Sequence, residues 1–149
     1  MSRQHTEIAQ ELRDGGLRVT ASRHAVLDWL NHHPHATADQ VHHGVRGQIG
    51  SISKQAVYDV LAACLKVGLV RQIRPAGHPA RFERRTGDNH HHLVCRGCGR
   101  IVDSDCRHGT APCLTPEHSQ GFDIDEAEVV FWGLCRDCRT TDDVENPSI

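Results

Sequence analysis

The sequence is poor in aromatic residues and in large apolar side chains. Aromatic residues make up 4% of its 149 positions, and the hydrophobic share is 38%. A core with so few large side chains buries little apolar surface, so we expect bound metal and dimer formation to supplement it. At this length the chain forms one ordinary domain or two very small ones.

The sequence also lacks any segment suited to a membrane. A transmembrane helix needs about 20 consecutive apolar residues, and no such run occurs. No positively charged, apolar leader is present, so a secretory signal is not indicated. We therefore expect a cytoplasmic protein with no membrane partner.

The net charge of −2 hides an uneven distribution. Residues 1–85 carry twelve Lys and Arg against seven Asp and Glu, a balance of +5. Residues 86–149 carry five against twelve, a balance of −7. A basic half joined to an acidic, metal-binding half is typical of a nucleic-acid reader with a regulatory module, although ordinary solvated surfaces show similar imbalances.

Cysteine is plentiful, with seven residues, and four of them form two Cys-x-x-Cys pairs. Cys95 pairs with Cys98, and Cys135 pairs with Cys138. Each pair can bind along one edge of a tetrahedral zinc ion, so together they predict a four-sulfur site. Disulfide bonding is the alternative, and a reducing compartment disfavours it. A site closed by four thiolates has no open coordination position, which argues against a zinc enzyme such as a deaminase.

A second group of ligands lies immediately before the first thiol pair. In a strand, side chains two residues apart share a face, so His90 and His92 point one way and His91 the other. With Asp103 nearby, they offer a site of nitrogen and oxygen beside the thiolate site. Two chemically different metal sites in one module suggest a sensor more than an enzyme. His91 is a candidate for an additional site or an ordinary polar residue.

Four helices are predicted in the first half of the chain. They cover residues 6–14, about thirteen residues that end near residue 33, residues 37 to 44 or 47, and residues 51 or 53 to about 67. Thr37 and Gln40 form a predicted capping box at the third helix. In the fourth helix, apolar residues recur at helical spacing and predict a buried stripe. These residues are Val57, Val60, Leu61, Cys64 and Leu65.

The exposed side of the fourth helix suggests contact with DNA. Lys54, Gln55 and Tyr58 lie off the apolar stripe near its N-terminal end, as in a recognition helix that enters the major groove. Two predicted strands, residues 69–74 and 80–84, follow as the hairpin of a winged helix, and their arginines suit phosphate contacts. An ordinary amphipathic helix and a solvated hairpin are the alternative interpretation.

The second half of the chain is predicted to be a separate domain after a polar boundary at residues 84–89. We predict strands at 90–95, 100–104 and 126–134, a short helix at 116–120, and a frayed tail from Thr140. Cys64 is interpreted as a core residue, because free cysteine behaves as a small hydrophobe. Cys106 and Cys113 are interpreted as unpaired thiols, with redox activity or further metal binding as alternatives.

Several short segments, taken together and in order, resemble the ferric uptake regulator family along nearly the whole chain. They are Leu-Arg-Val-Thr at 17–20, His-Ala-Thr-Ala-Asp at 35–39, Ser-Lys-Gln-Ala-Val-Tyr-Asp at 53–59, Gly-Leu-Val at 68–70, Arg-Phe-Glu at 81–83, and residues 90–103 with the two cysteine pairs. Segments at 105–106, 111–115, 125–129 and 132–135 most resemble the actinobacterial FurA/CatR branch. That branch responds to peroxide and sits beside catalase-peroxidase genes.

The resemblance implies an α+β fold of two domains. A winged helix-turn-helix DNA-binding domain, residues 1–85, precedes a small α/β dimerisation domain with a four-cysteine zinc site, residues 86–149. The implied structural Zn²⁺ ligands are Cys95, Cys98, Cys135 and Cys138. The implied ligands of a regulatory Fe²⁺ or Mn²⁺ are His35, Glu83, His90, His92 and Asp103. Asp103 matches peroxide sensors of the family, whereas Glu83 matches its iron-uptake regulators.

The implied function is a metal-dependent transcriptional repressor and not an enzyme. We expect a homodimer that binds inverted-repeat double-stranded DNA and controls catalase-peroxidase and oxidative-stress genes in response to peroxide. The residues expected to contact DNA are Lys54, Gln55, Tyr58 and Arg18. An iron-responsive regulator of uptake genes is one alternative. A metal-storage protein is another, although it would need neither the helix-turn-helix nor the arginine-rich hairpin.

Overall fold

A computed structural model describes residues 2–85, 90–105, 114–124 and 126–142 of the chain. Its contacts divide the chain into two compact units. The first unit comprises Met1–Arg74 and Pro79–Thr86, and the second comprises Pro75–His78 and Gly87–Ile149. Within the described ranges, no helix has both the length and the hydropathy needed to cross a membrane. The predicted polar boundary falls partly at residues 86–89, which lie outside these ranges, as do Cys106 and Cys113.

The described part of the first unit contains four helices and a small antiparallel sheet. The helices are α1 (Arg3–Asp14), α2 (Ala21–His32), α3 (Ala38–Ile49) and α4 (Lys54–Lys66). The strands are β1 (Ala36–Thr37), β2 (Val70–Ile73) and β3 (Arg81–Arg84), with β3 in the centre. β2 and β3 form the predicted hairpin. The sequence did not predict β1, because two residues carry no periodicity.

Side-chain caps determine where α3 and α4 begin. The Gln40 N–H donates to Thr37 Oγ1 at 3.2 Å, and the Thr37 N–H donates to Gln40 Oε1 at 2.9 Å. This pair of bonds confirms the predicted capping box and satisfies backbone groups that the helix leaves unpaired. Of the two serines considered for α4, Ser53 is the cap, since its Oγ accepts a bond from the Ala56 N–H at 3.0 Å.

α1 begins at Arg3, three residues before the predicted start, and ends where a glycine pair was expected to end it. Gly16 has a φ of 76°, in the left-handed region that favours glycine. This conformation turns the chain so that the Leu17 N–H donates to the Leu12 carbonyl oxygen at 2.8 Å. The bond satisfies one of the last carbonyl groups of the helix.

The apolar faces of α1 to α4 and of the sheet meet in one hydrophobic core. Its largest fully buried aliphatic side chains are Ile8, Leu12, Val26, Leu27, Leu30, Val41, Val45, Val57 and Leu61. The predicted stripe of α4 is confirmed, with Leu65 only partly buried at its edge. Burial raises the pKa of the Cys64 thiol, which agrees with its interpretation as a core residue.

The prediction that α3 ends at Gly44 or Gly47 is wrong, because the helix continues to Ile49. Gly44 does not end the helix, and its role is in the packing of α3 against α2. A Cβ built at Gly44 would lie 2.0 Å from Nε1 of Trp29, so the absence of a side chain makes room for the indole of α2. The sequence shows a glycine at this position but does not show which neighbour requires it.

The described part of the second unit is a three-stranded sheet followed by a helix. Its elements are β4 (His90–Cys95), β5 (Ile101–Asp105), β6 (Val130–Gly133) and α5 (Arg136–Asp142). β4 is central, antiparallel to β5 and parallel to β6. β6 is shorter than the predicted strand, which began at residue 126.

One prediction for the second unit is wrong, and another is contradicted only at residues 140–142. Residues 116–120 form no helix, because Gln120 and Gly121 adopt left-handed φ values of 51° and 81° and the whole exposed segment has no buried face to stabilise a single turn. The tail predicted to fray from Thr140 is helical at its first three residues, because α5 continues to Asp142 and the Thr140 hydroxyl donates to the Asp137 carbonyl oxygen at 2.8 Å; for the rest of the tail the prediction is untested. Residues 143–149 lie outside the described ranges.

Candidate metal centres and nucleic-acid interface

Four thiols converge in the second unit. Cys95 ends β4 and Cys98 follows in the turn, while Cys135 follows β6 and Cys138 lies in α5. Their sulfur atoms all lie within 4.8 Å of one another, and the Sγ atoms of Cys98 and Cys135 are 3.8 Å apart. Sulfur atoms bound at about 2.3 Å to a tetrahedral zinc ion are separated by about 3.8 Å. The cluster therefore has the size of a four-sulfur zinc site.

Backbone N–H groups and two glycines bring these thiols together. The Cys135 N–H donates to Cys95 Sγ at 3.2 Å. Gly99 adopts a φ of 75°, and its N–H closes the turn by donating to the Cys95 carbonyl oxygen at 3.0 Å. A Cβ at Gly97 would lie 2.9 Å from Cys138 Sγ, so glycine permits the thiol to approach. The sequence prediction included only the cysteines, although both glycines lie between or beside them.

The thiols of this cluster differ in acidity. Hydrogen bonds from the backbone N–H groups of Cys135 and Cys98 lower the pKa of the Cys95 thiol to about 6. Hydrogen bonding with the side chains of Cys135 and Cys95 raises the pKa of Cys138 to about 12. A divalent cation that binds all four sulfurs must displace the remaining protons, so binding should release protons. Because four sulfurs complete a tetrahedron, the geometry fits a structural ion and leaves no position for a substrate.

A buried imidazole–carboxylate pair lies in the first unit. His35 immediately precedes β1, and Glu83 lies in β3, whose residue Phe82 pairs with Ala36. This pairing brings His35 Nε2 to 2.9 Å from Glu83 Oε2, with the two side chains 13% and 4% exposed. His35 has a φ of 61°, a conformation that is uncommon for a residue other than glycine and that recurs at functional sites.

Two arginines support this pair from the hairpin. Arg71 lies opposite Glu83 in the sheet, and its Nη1 is 3.6 Å from Glu83 Oε1. Arg81 Nη1 donates to the His35 carbonyl oxygen at 3.2 Å. Sequence reasoning assigned the hairpin arginines to phosphate contacts and missed these two roles. The sequence does contain a signal for the role of Arg81, because side chains alternate along a strand and Arg81 and Glu83 therefore lie on the same face.

A second imidazole–carboxylate pair lies in the second unit. His92 in β4 is the register partner of Asp103 in β5, and His92 Nε2 is 3.4 Å from Asp103 Oδ1. The His92 side chain is fully buried, whereas that of Asp103 is 42% exposed. His90 pairs with Asp105 in the same register, and its role as a ligand stays a prediction. His91 contacts Phe131 edge-on, with ring centroids 6.5 Å apart.

The residues predicted to contact DNA lie on the exposed surface of the first unit. They are Lys54, Gln55 and Tyr58 on α4, and Arg18 just before α2. Two acidic residues hold the first two side chains. Lys54 Nζ is 3.2 Å from Asp39 Oδ1, and Gln55 Nε2 donates to Asp59 Oδ1 at 2.9 Å. Tyr58 is 50% exposed. α4 therefore presents two donors already oriented by carboxylates and an exposed phenol.

The first unit contains a helix-turn-helix and a strand hairpin, and the second unit contains a four-thiol cluster. Together these features define the class of protein, a metal-binding transcription regulator. The sequence profile of the Ferric uptake regulator family matches residues 14–131, and the chain belongs to that family. Members of the family are transcriptional regulators and not enzymes, and they bind operator DNA as dimers. The resemblance inferred from the motifs and the predicted α+β fold class are thereby confirmed.

The similarity extends over most of the chain. Transcriptional regulator FurA of Mycobacterium tuberculosis is 54% identical over 136 residues, which cover 91% of this chain and 92% of that protein. The peroxide-responsive repressor PerR of Staphylococcus aureus is 29% identical and covers 89% of this chain and 90% of its own. The solved structure of the ferric uptake regulator of Pseudomonas aeruginosa with manganese has a TM-score of 0.68 at 24% identity, covering 87% of this chain and 98% of that one.

Proposed function

We propose that this chain is a metal-dependent repressor that binds inverted-repeat operator DNA as a homodimer and senses peroxide through iron. The observation that carries the proposal is the occurrence of one imidazole–carboxylate pair in each unit, His35 with Glu83 and His92 with Asp103. Such nitrogen and oxygen ligands suit Fe²⁺ or Mn²⁺ better than the thiolate cluster does. A repressor of this kind would act in the cytoplasm, where operator DNA is present.

A single ion bound by both pairs would couple the two units. Each pair supplies two ligand atoms, fewer than Fe²⁺ or Mn²⁺ takes, so neither pair completes a coordination sphere alone. The family resemblance adds His90 to this set. Such an ion would stabilise the conformation of the chain in which all the ligands can bind it. The size of the effect depends only on how much more tightly the ion binds that conformation than the others. A nearly complete switch between two conformations requires the ion to bind one of them more favourably than the other by about 5.5 kcal/mol.

The DNA-binding part of the proposal rests on α4 and the hairpin. α4 follows α3 after a short turn and exposes Lys54, Gln55 and Tyr58 along one side. A helix in that position reads base edges in the major groove, while arginines near the hairpin, such as the exposed Arg74, suit the phosphate backbone. Lys54 can leave Asp39 and bind a DNA phosphate instead. Its ion pair with Asp39 is exposed and contributes little free energy, so breaking it costs little.

The dimer part of the proposal rests on one face of the second sheet. Leu93, Val102 and Phe131 are neighbours across the three strands, and they are 44%, 40% and 52% exposed. Adjacent apolar side chains on one face of a sheet mark an interaction surface. A second copy of the chain covers that face in a homodimer, and two-fold symmetry then matches the protein to an inverted-repeat operator.

The zinc part of the proposal assigns Cys95, Cys98, Cys135 and Cys138 to one structural Zn²⁺. The distance of 3.8 Å between the Sγ atoms of Cys98 and Cys135 fits a tetrahedral ion, and the ion would tie β4, β6 and α5 together. Structural zinc contributes about 10 kcal/mol or more to the folding of small modules at neutral pH. The described residues of the second unit include few buried apolar side chains, so that contribution is expected to be decisive.

Peroxide sensing is supported by the similarity to a peroxide-responsive repressor and by the character of the ligand set. Ferrous iron at this site would supply one electron that splits hydrogen peroxide into hydroxide and a hydroxyl radical. The imidazoles among the proposed ligands, those of His35, His90 and His92, are the oxidisable groups expected beside such an ion. The hydroxyl radical would add to a ring carbon of an imidazole, and the adduct would pass one electron to the ferric ion and one proton to the hydroxide, which leaves the ring one oxygen atom heavier and yields water. An imidazole oxidised in this way is a weaker ligand, so the metal would be lost and the operator released. On the resemblance, His35 and His90 are the expected targets.

The decisive experiment compares protein loaded with Fe²⁺ and with Mn²⁺. Binding to an inverted-repeat duplex is measured before and after hydrogen peroxide, and the products are mapped by mass spectrometry. We expect a 16-Da addition on a ligand histidine, with loss of DNA binding, only in the iron sample. Cysteine oxidation and DNA release regardless of the metal would contradict the proposal and indicate a thiol switch.

Iron-responsive control of uptake genes is the second candidate, and Glu83 favours it because the family's iron regulators carry glutamate here. That function predicts metal-dependent DNA binding without histidine oxidation by peroxide. A metal-storage protein predicts no specific DNA binding with any metal. The same set of measurements therefore separates the three functions.

A further inference from the structure

The carboxylate of Glu83 has two oxygens that meet different partners. Oε2 lies 2.9 Å from His35 Nε2, and Oε1 lies 3.6 Å from Arg71 Nη1. Both charged side chains are shielded from water, with Glu83 4% and Arg71 14% exposed. One oxygen is therefore directed to the proposed ligand histidine, and the other is directed to a fixed cation.

We propose that the positive charge of Arg71 sets the metal affinity of the regulatory site. The guanidinium lies against Oε1 of Glu83, whereas His35 lies against Oε2, and the guanidinium charge opposes that of a bound ion. This inference rests on the proposed function, in which His35 and Glu83 bind a divalent cation.

The charge of Arg71 weakens metal binding through its effects on both the metal-free and the metal-bound protein. Without metal, a buried carboxylate needs a compensating charge, and Arg71 supplies it. When a divalent ion binds Oε2, Arg71 remains close to the same carboxylate and repels the ion. Arg71 therefore stabilises the metal-free protein and weakens metal binding, so that both effects raise the metal concentration at which the regulator responds.

The hairpin offers a matched pair of positions for a test. Arg71 lies within β2 and contacts Glu83, whereas Arg74 lies just beyond the same strand and is exposed. Arg71→Gln removes the charge and keeps a hydrogen-bonding side chain. Arg71→Lys keeps the charge but not the planar guanidinium. Arg74→Gln controls for the loss of one positive charge from the hairpin.

The affinity of the full-length protein for Mn²⁺ is measured by titration, together with the thermal midpoint with and without Mn²⁺. We expect Arg71→Gln to bind Mn²⁺ about tenfold more tightly than the unchanged protein, from the removal of a nearby like charge. Its midpoint should fall without metal and recover at saturating Mn²⁺. Arg71→Lys and Arg74→Gln should keep nearly the original affinity.

Unchanged or weaker Mn²⁺ binding by Arg71→Gln would overturn the proposal. Weakened Mn²⁺ binding by Arg71→Lys would also overturn it, because that result would assign the role of Arg71 to its geometry and not to its charge. If Arg71→Gln is unfolded without metal, its Mn²⁺-dependent folding gives an apparent affinity, and correction for the fraction folded without metal gives the affinity of the folded form for the comparison. Glu83→Gln tests the underlying site separately. If it leaves Mn²⁺ binding intact, the proposed regulatory site is wrong, whatever the arginine variants show.

Discussion

Gly44 shows how a single missing side chain supports the core of the first unit. It lies inside α3, and a Cβ there would lie 2.0 Å from Trp29 Nε1. The indole in turn stacks on His33, with ring centroids 4.1 Å apart. An added methyl group must therefore displace a side chain that already has a second contact.

We expect Gly44→Ala to lower the free energy of unfolding by about 1–3 kcal/mol, as for other overpacked positions. Urea unfolding of the full chain measures this change. Gly47→Ala is the control, because Gly47 lies in the same helix with nothing within 4 Å of an added Cβ. That variant should gain about 0.5–1 kcal/mol from the better helix propensity of alanine. Equal effects of the two variants would contradict the packing role of Gly44.

Tyr58 is the candidate for base contact that is not already engaged by a carboxylate on the exposed side of α4. We expect Tyr58→Ala to weaken binding to the specific operator by about 1–3 kcal/mol, if the phenol touches a base edge or a thymine methyl group. Competition binding with operator and random duplexes measures the difference. An equal loss on both duplexes would assign Tyr58 to the phosphate backbone.

At the scale of elements, the thiol cluster joins the end of β4, the end of β6 and α5. These elements are short, and each contributes few buried apolar residues within the described ranges. The bound ion is therefore expected to hold them together, and its loss should affect folding more than regulation.

Cys98→Ser tests this role of zinc. We expect the variant to lose bound zinc, solubility and the dimer, since structural zinc contributes about 10 kcal/mol or more in such modules. Zinc content and sedimentation are the measurements. Cys64→Ala is the control, because Cys64 is a core residue of the first unit and its loss should lower stability while zinc is retained. A folded dimer of Cys98→Ser without zinc would show that the site is not structural.

At the scale of the whole molecule, the exposed apolar face of the second sheet is the proposed contact between the two copies of the dimer. Phe131 lies on this face beside Leu93, and Phe122 offers a comparison because it is 73% exposed and lies outside the sheet. A charge placed in the centre of an interface is costly, whereas the same charge on a free surface is not.

We expect Phe131→Lys to be a monomer at concentrations where the original protein is a dimer, with a corresponding loss of affinity for the inverted repeat. Phe122→Lys should remain a dimer. Light scattering after size-exclusion chromatography measures both masses. A dimer of Phe131→Lys with normal DNA binding would place the interface elsewhere.

The sequence by itself determined the features that depend on spacing along the chain. The capping box of Thr37 and Gln40, the apolar stripe of α4 and the two Cys-x-x-Cys pairs are local patterns, and the structure confirms that the four thiols converge. These inferences need only neighbouring residues and the periodicity of a helix or strand. The family and the α+β fold class, by contrast, rested on the resemblance of several short segments, in a fixed order, to a known family.

The tertiary structure decided which distant residues meet. Pairing of the two-residue β1 with β3 brings His35 to Glu83, and the register of β2 brings Arg71 to the same carboxylate. The role of Gly44 likewise depends on the position of Trp29 in another helix. Such contacts join residues far apart in the chain, and no local period encodes them. They exist because burial of the shared core selects one packing of the helices and strands from the many that the same local patterns allow.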